Sequence, residues 1–171
     1  MAPPAASGGD PWYAIRVKPN FEKTAAASLR GKGYTEFLPL YRSVRRWSDR
    51  NKITELPLFP GYIFARFDAA QRVPILATPG VLNLVGFGKT PVAVDEAELE
   101  AIRRVAHEGL TAEPWPFLTE GQRVRVMCGA LKGVEGQLLA IRNQSHLVLT
   151  VSLLQRAVVV HIDRQNITPI Q

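Results

Sequence analysis

Three histidines (His107, His146 and His161) and one cysteine (Cys128) make up the chain's stock of imidazole and thiol groups. A zinc site needs such groups at ligand spacing, with each other or with carboxylates. None is so placed. His107 stands at the edge of a connecting segment, and His146 and His161 fall in strand-like stretches. Cys128 has no base near it in sequence and reads as a small turn or buried thiol. Glu96, Glu98 and Glu100 crowd one stretch, but in the first turns of a helix such carboxylates favour the macrodipole and face water. Gly88-Lys89-Thr90 looks like the end of a phosphate-binding loop. That motif needs glycine five residues earlier, where Asn83 stands. No Gly-x-Ser-x-Gly elbow occurs. The expectation is a protein without catalysis, metal or cofactor.

Two other groupings suit binding. The first is Leu56-Pro57-Leu58-Phe59-Pro60-Gly61-Tyr62-Ile63-Phe64. Pro60-Gly61 forces a sharp turn, and strand composition follows at once. Phe59, Tyr62 and Phe64 lie so close together that alternation should carry at least one ring to the sheet face away from the core. Aromatics beside a prolyl turn suit a protein contact. The plainer alternative is that the rings are core. The second grouping is Arg42, Arg45, Arg46, Trp47, Arg50 and Lys52. Over residues 42–52 it holds five positive charges and one negative, Asp49, around a central tryptophan. Cations interleaved with an aromatic suit a backbone-tracking surface with a stacking platform. Its plainer alternative is a solvated hairpin tip.

These groups need a scaffold. The chain has 171 residues, 46% hydrophobic and 21% charged, the composition of a globular protein of one or two domains. Disorder, coiled coil and collagen are excluded. No apolar run nears the ~18 residues of a membrane span. The Pro/Ala/Gly/Ser-rich start lacks the basic and apolar regions of a signal peptide, so a flexible tail over 1–9 and a cytoplasmic location are expected. Lysine and arginine number 21 against 15 acidic residues, a net charge of +6, which weakly favours a polyanionic partner.

His107 to Phe117 carries Gly109, Pro114 and Pro116 without periodicity and reads as a linker. It separates a domain over 10–106 from one over 118–171. In the first, Trp12 to Lys18 has strand composition. Phe21, Ala25 and Leu29 mark an amphipathic helix from Asn20 to Gly31 or Gly33. Phe37 to Ser43 and Gly61 to Phe67 return to strand, and a short helix spans Arg72 to Ala77. A better helix opens at Asp95, with Glu98 completing a capping box and Leu99, Ile102 and Ala106 on one face. The expectation is an α+β domain with helices packed on an antiparallel sheet.

The second domain reads as all-β. Short strands are expected at 123–126, 134–141, 147–151, 157–162 and 167–170, with Gly129, Gly133 and Gly136 at turns or bulges. Five short strands in about 54 residues suit a small barrel. Its expected core is Val124, Val126, Leu138, Ile141, Val148, Val151, Val159 and Ile162.

In order, these motifs resemble NusG-type transcription elongation factors and their specialised RfaH- or UpxY-type paralogues. The likeness rests on Trp12-Tyr13, Glu22 and Leu29, then Pro57-Leu58-Phe59-Pro60-Gly61-Tyr62, the most specific element. Thr78-Pro79-Gly80-Val81, Val85-Gly86 and Pro91 follow, and then Gly121 to Val126 leading to Gly133 and Gly136. The resemblance implies an NGN-like first domain and an SH3-like KOW barrel. It implies that Trp12, Tyr13, Phe59, Pro60 and Tyr62 grip the clamp helices of the largest RNA polymerase subunit, suppressing pausing and termination. Arg42, Arg45, Arg46, Trp47 and Arg50 would then lie near upstream DNA and the non-template strand. The loop Gly129-Ala130-Leu131-Lys132 would recruit a small-subunit ribosomal protein or Rho. Leu131 stands where the general factor has a large aromatic, and Arg45 to Arg50 look more like the specialised paralogues. An operon-selective antiterminator, working as a monomer, is therefore the expectation. The housekeeping factor and a ribosome-associated KOW RNA-binding protein are the alternatives. The KOW segment is expected as a barrel and not a helical hairpin, since glycines 129, 133 and 136 would each cost a helix about 1 kcal/mol relative to alanine.

Overall fold

A computed structural model describes residues 9–117 and 121–171. The expected tail thus lies almost wholly outside the described residues. In chain order the elements are β1 (Trp12–Val17), α1 (Glu22–Gly31), β2 (Thr35–Phe37), β3 (Leu40–Trp47), β4 (Arg50–Pro57), β5 (Tyr62–Arg66), α2 (Val73–Leu76), β6 (Val81–Leu84), β7 (Gly86–Phe87), β8 (Thr90–Pro91), α3 (Glu96–His107), β9 (Ala112–Trp115), β10 (Gln122–Val126), β11 (Glu135–Ile141), β12 (Gln144–Val151), β13 (Arg156–His161) and β14 (Ile167–Pro169). The chain divides into two compact units, Met1–Pro39 with Phe59–Asp95, and Leu40–Leu58 with Glu96–Gln171.

The first unit holds a four-stranded antiparallel sheet in the order β2-β5-β1-β6. β1 lies inside it, so Trp12, Tyr13, Ala14 and Ile15 are all buried, as expected of a strand covered on both faces. The side chains of Tyr13, Ile15, Val17, Ile63, Ala65 and Phe67 form a core with Ala25, Ala26 and Leu29 of α1. The helix begins at Glu22, after Asn20 takes a positive φ of 67°. Phe21, expected on its apolar face, is 40% exposed, because it precedes the first helical turn. The strand expected from Phe37 to Ser43 is broken at Leu38-Pro39 into β2 and the start of β3.

In the second unit, β3 and β4 form a ribbon from Leu40↔Pro57 to Trp47↔Arg50. The C-terminal region is a six-stranded antiparallel sheet in the order β14-β10-β11-β12-β13-β9, the all-β unit expected. Its strands match the sequence reading to within a few residues, and Val124, Val126, Val148, Val151, Val159 and Ile162 are buried. Leu138 and Ile141 are only half-buried. Two differences stand out. Within the stretch read as a linker, Ala112–Trp115 forms β9 and pairs with β13. A proline is tolerated there because β9 is an edge strand. On α3 the third buried residue is Val105, while Ala106 is exposed; Leu99, Ile102 and Val105 keep the i, i+3, i+6 spacing of one face.

Candidate functional site

The prolyl turn sits at the entry to β5 and is held at both ends of one peptide residue. The Gly61 N–H donates to the Glu22 carboxylate at 3.0 Å. The Gly61 carbonyl accepts from the Val17 N–H at 2.8 Å. Gly61 has φ +85°, a backbone that other residues adopt only with strain. Glu22 is 6% exposed, so a buried carboxylate is spent on fixing this turn.

Alternation then sorts the rings. The pairs Trp12↔Arg66, Ala14↔Phe64 and Arg16↔Tyr62 share the sheet face away from α1, while Tyr13 and Ile63 face it. The expectation that a ring reaches the far face holds for both Tyr62 and Phe64. Phe59 meets Phe64 edge-on at 5.8 Å, and the Arg66 guanidinium lies 5.2 Å from the Trp12 ring centroid. Among the five expected docking residues, Pro60 is exposed and Tyr62 half-buried. Phe59 and Trp12 are buried, and Tyr13 belongs to the α1 core against Phe67. An exposed groove built on Phe59 is therefore not what the structure shows, and Tyr13 points the wrong way because it neighbours Trp12 on a strand.

The ribbon β3–β4 carries the basic group. Trp47 is 59% exposed, and Arg42, Arg45, Arg46 and Arg50 are exposed with it. The Lys52 ammonium lies 5.7 Å from the Trp47 ring centroid.

The loop 129–132 closes the β10–β11 connection. Gly129 and Gly133 have φ of +88° and +87°. Leu131, expected at the loop tip, is buried. Arg104 of α3 forks onto this loop, donating to the Ala130 carbonyl at 2.5 Å and the Lys132 carbonyl at 2.7 Å. Six residues earlier on the same helix, the Glu98 carboxylate accepts from the Ser152 N–H at 3.0 Å and from its hydroxyl. Sequence reasoning missed both contacts, and read Glu98 as a capping carboxylate facing water, because partners 26 to 54 residues away leave no mark in local spacing.

His146 and His161 face each other across β12 and β13 with rings perpendicular at 5.6 Å. Cys128 is exposed and donates to the Asn166 side-chain carbonyl at 3.0 Å. Among the described residues no three His, Cys, Asp or Glu side chains gather to hold a metal ion. No helix among them is long and apolar enough to cross a membrane.

Residues 10–103 match the family model described as transcription termination factor NusG. The chain belongs to the NusG family. A transcription termination/antitermination protein NusG of Thermus thermophilus is 26% identical over 175 residues, which cover 89% of this chain and 94% of the relative. That of Lactococcus lactis is 31% identical over 126 residues, covering 70% and 66%. A solved structure of Thermotoga maritima NusG superposes with a TM-score of 0.58 at 20% identity over 95% of this chain and 98% of that one, a likeness of fold. NusG membership makes the chain a transcription termination/antitermination factor by kind.

Proposed function

We propose that this NusG-family chain binds RNA polymerase at the clamp helices of its largest subunit and holds the enzyme in its elongating state, suppressing pausing and termination. A ligand with higher affinity for the closed clamp raises that state's occupancy. The observation that carries this reading is the turn pinned between Glu22 and Val17, which presents Pro60 and Tyr62 at the edge of the face holding Trp12, Phe59 and Phe64. The rings behind would set the shape of the docking surface, with Tyr62 and Pro60 making the contact.

The ribbon bearing Arg42, Arg45, Arg46, Trp47 and Arg50 faces upstream DNA and the non-template strand in this reading. The barrel recruits a small-subunit ribosomal protein or Rho through Gly129 to Lys132. The chain works as a cytoplasmic monomer at selected operons, and two features favour that over a housekeeping role. Leu131 is buried and so offers no large exposed ring at the loop. The Arg45 to Arg50 segment departs from the general factor.

The test is binding of the full chain to core polymerase and to an isolated clamp-helix fragment. Tyr62→Ala should weaken both by tenfold or more, as loss of an anchor aromatic does. Unchanged affinity for both would overturn the docking assignment. Sequencing polymerase-associated nascent RNA separates the two roles, with enrichment at a few operons supporting selectivity and uniform enrichment supporting the housekeeping role.

A further inference from the structure

Directly opposed residues of an antiparallel ribbon share a face, and the face alternates at each step. The β3–β4 register pairs Arg45 with Lys52 and Trp47 with Arg50. These four share one face at the free end of the ribbon, and Lys52 closing on the Trp47 ring confirms the alternation. The other face pairs Arg42 with Glu55, Val44 with Ile53 and Arg46 with Asn51. Val44 and Ile53 are each 63% exposed, so that face is open to solvent but offers an apolar pair at its centre. The basic run is thus two surfaces. One carries three cations and an indole with no carboxylate. The other carries two cations, a carboxylate and two aliphatic side chains.

From this register we infer that the chain holds an unpaired nucleic-acid strand by the Trp47 face alone, with Arg45, Arg50 and Lys52 on phosphates, and that Arg42 and Arg46 stand on the reverse face outside the contact. The inference rests on reading the ribbon as a nucleic-acid surface, and it adds Lys52 while removing two arginines. A base stacks on an indole only when it is unpaired, whereas phosphates attract cations in any strand. Lys52 has one side of the ring within cation–π range. The free side is left for a base, with phosphate-binding cations around it. A duplex would engage the cations and gain nothing from Trp47.

The experiment titrates the full chain with a 12-nucleotide single-stranded DNA and with the same sequence as duplex, across a salt series. The parent should prefer the single strand. Trp47→Ala should weaken single-strand binding about tenfold with the salt slope unchanged, and Trp47→Phe should recover most of the loss. Arg45→Ala with Lys52→Ala should lower the slope of log affinity against log salt by about 1.4, two phosphates' worth on a single strand. Arg42→Ala with Arg46→Ala should leave the slope and the affinity near the parent's. All these residues are exposed, and thermal unfolding confirms that each variant folds. Equal losses from the two double variants, or equal affinity for duplex, would overturn the one-faced single-strand site while leaving the ribbon a nucleic-acid surface. No measurable binding of either DNA by the parent would overturn the surface itself.

Discussion

Glu22 and Gly61 are 39 residues apart, and the carboxylate of one accepts the backbone N–H of the other at 3.0 Å. The bond ties the first turn of α1 to the entry of β5, so the helix that packs the core also sets the angle of the prolyl turn. A buried hydrogen bond to a charged group contributes about 1.5–3 kcal/mol. Glu22→Ala should cost that much stability and leave the Gly61 N–H unsatisfied. Glu22→Gln keeps an acceptor of the same reach and should lose less. Urea unfolding measures both. If Tyr62 docks as proposed, polymerase affinity should fall in the same order.

Tyr34 presents the opposite case. Its ring packs edge-on against Phe67 at 6.4 Å, but its buried hydroxyl has no hydrogen-bond partner among the described residues. Burial also pushes its phenol pKa upward. An unpaired buried hydroxyl costs about 1–3 kcal/mol. Tyr34→Phe keeps the ring contact and should raise stability by about 1 kcal/mol, read as a higher melting temperature. A fall in stability would show that the hydroxyl is satisfied in solution.

Composition made the sheet strands legible: β1, β12 and β13 are runs of aromatic, β-branched and aliphatic residues buried over several consecutive positions, and β10 alternates. β9 was hidden by Pro114 and Pro116, which read as a linker wherever the position of a strand in its sheet is unknown. The two faces of the β3–β4 ribbon were hidden for a related reason. Their assignment depends on the turn falling at Ser48-Asp49, and a slip of one residue would exchange every side chain between faces. The prolyl-aromatic turn was visible as a motif. That Tyr13 faces the core and Tyr62 does not follows only from which side of the sheet α1 covers.

Arg104 should prove hard to replace. Its guanidinium reaches two carbonyls of one loop at once, a fork that a lysine ammonium cannot reproduce. Arg104→Ala should loosen the loop, seen as faster hydrogen exchange at the Lys132 and Val134 amides, which bond to the Gly129 and Leu131 carbonyls. Arg104→Lys should exchange nearly as fast as the alanine variant. Protection at the parent level in Arg104→Ala would show that the turn holds itself.

Glu135 should give the C-terminal β unit a pH dependence. Hydrogen bonds from Arg125 hold its carboxyl below the ordinary 4.5, with the charges of Arg125 and Arg123 adding to the effect and partial burial opposing it. A carboxyl lowered in the folded state stabilises that state fully above its unfolded pKa. The benefit fades as pH falls through the lowered value, since the unfolded chain takes up the proton first. The melting temperature of Glu135→Gln should therefore lie below the parent's by a constant gap above pH 5. That gap should close progressively below pH 4.5. A gap that persists unchanged at pH 3 would show the arginine contacts to be unimportant in solution.

Gly136 separates from the other two glycines expected at turns. Gly129 and Gly133 have positive φ with open space where a Cβ would go, so their demand is conformational. Gly136 lies within β11, opposite Val124. A Cβ there would stand 2.6 Å from the Val148 carbonyl oxygen and 2.9 Å from Leu147 Cδ1. Glycine in a strand interior often marks such a close approach. The Leu147 side chain has rotamers with which to yield, but the Val148 carbonyl is held in the β12 ladder and must carry its neighbours with it. Forcing atoms into a packed interior costs about 1–3 kcal/mol, and backbone that cannot rotate away belongs at the upper end. Gly136→Ala should therefore destabilise the protein by about 3 kcal/mol, although alanine is the better residue in an unstrained strand. Gly133→Ala, strained only by its φ, should cost about 1 kcal/mol. Chemical denaturation of the two variants checks the order. Equal losses would mean that the β11–β12 approach relaxes at little cost.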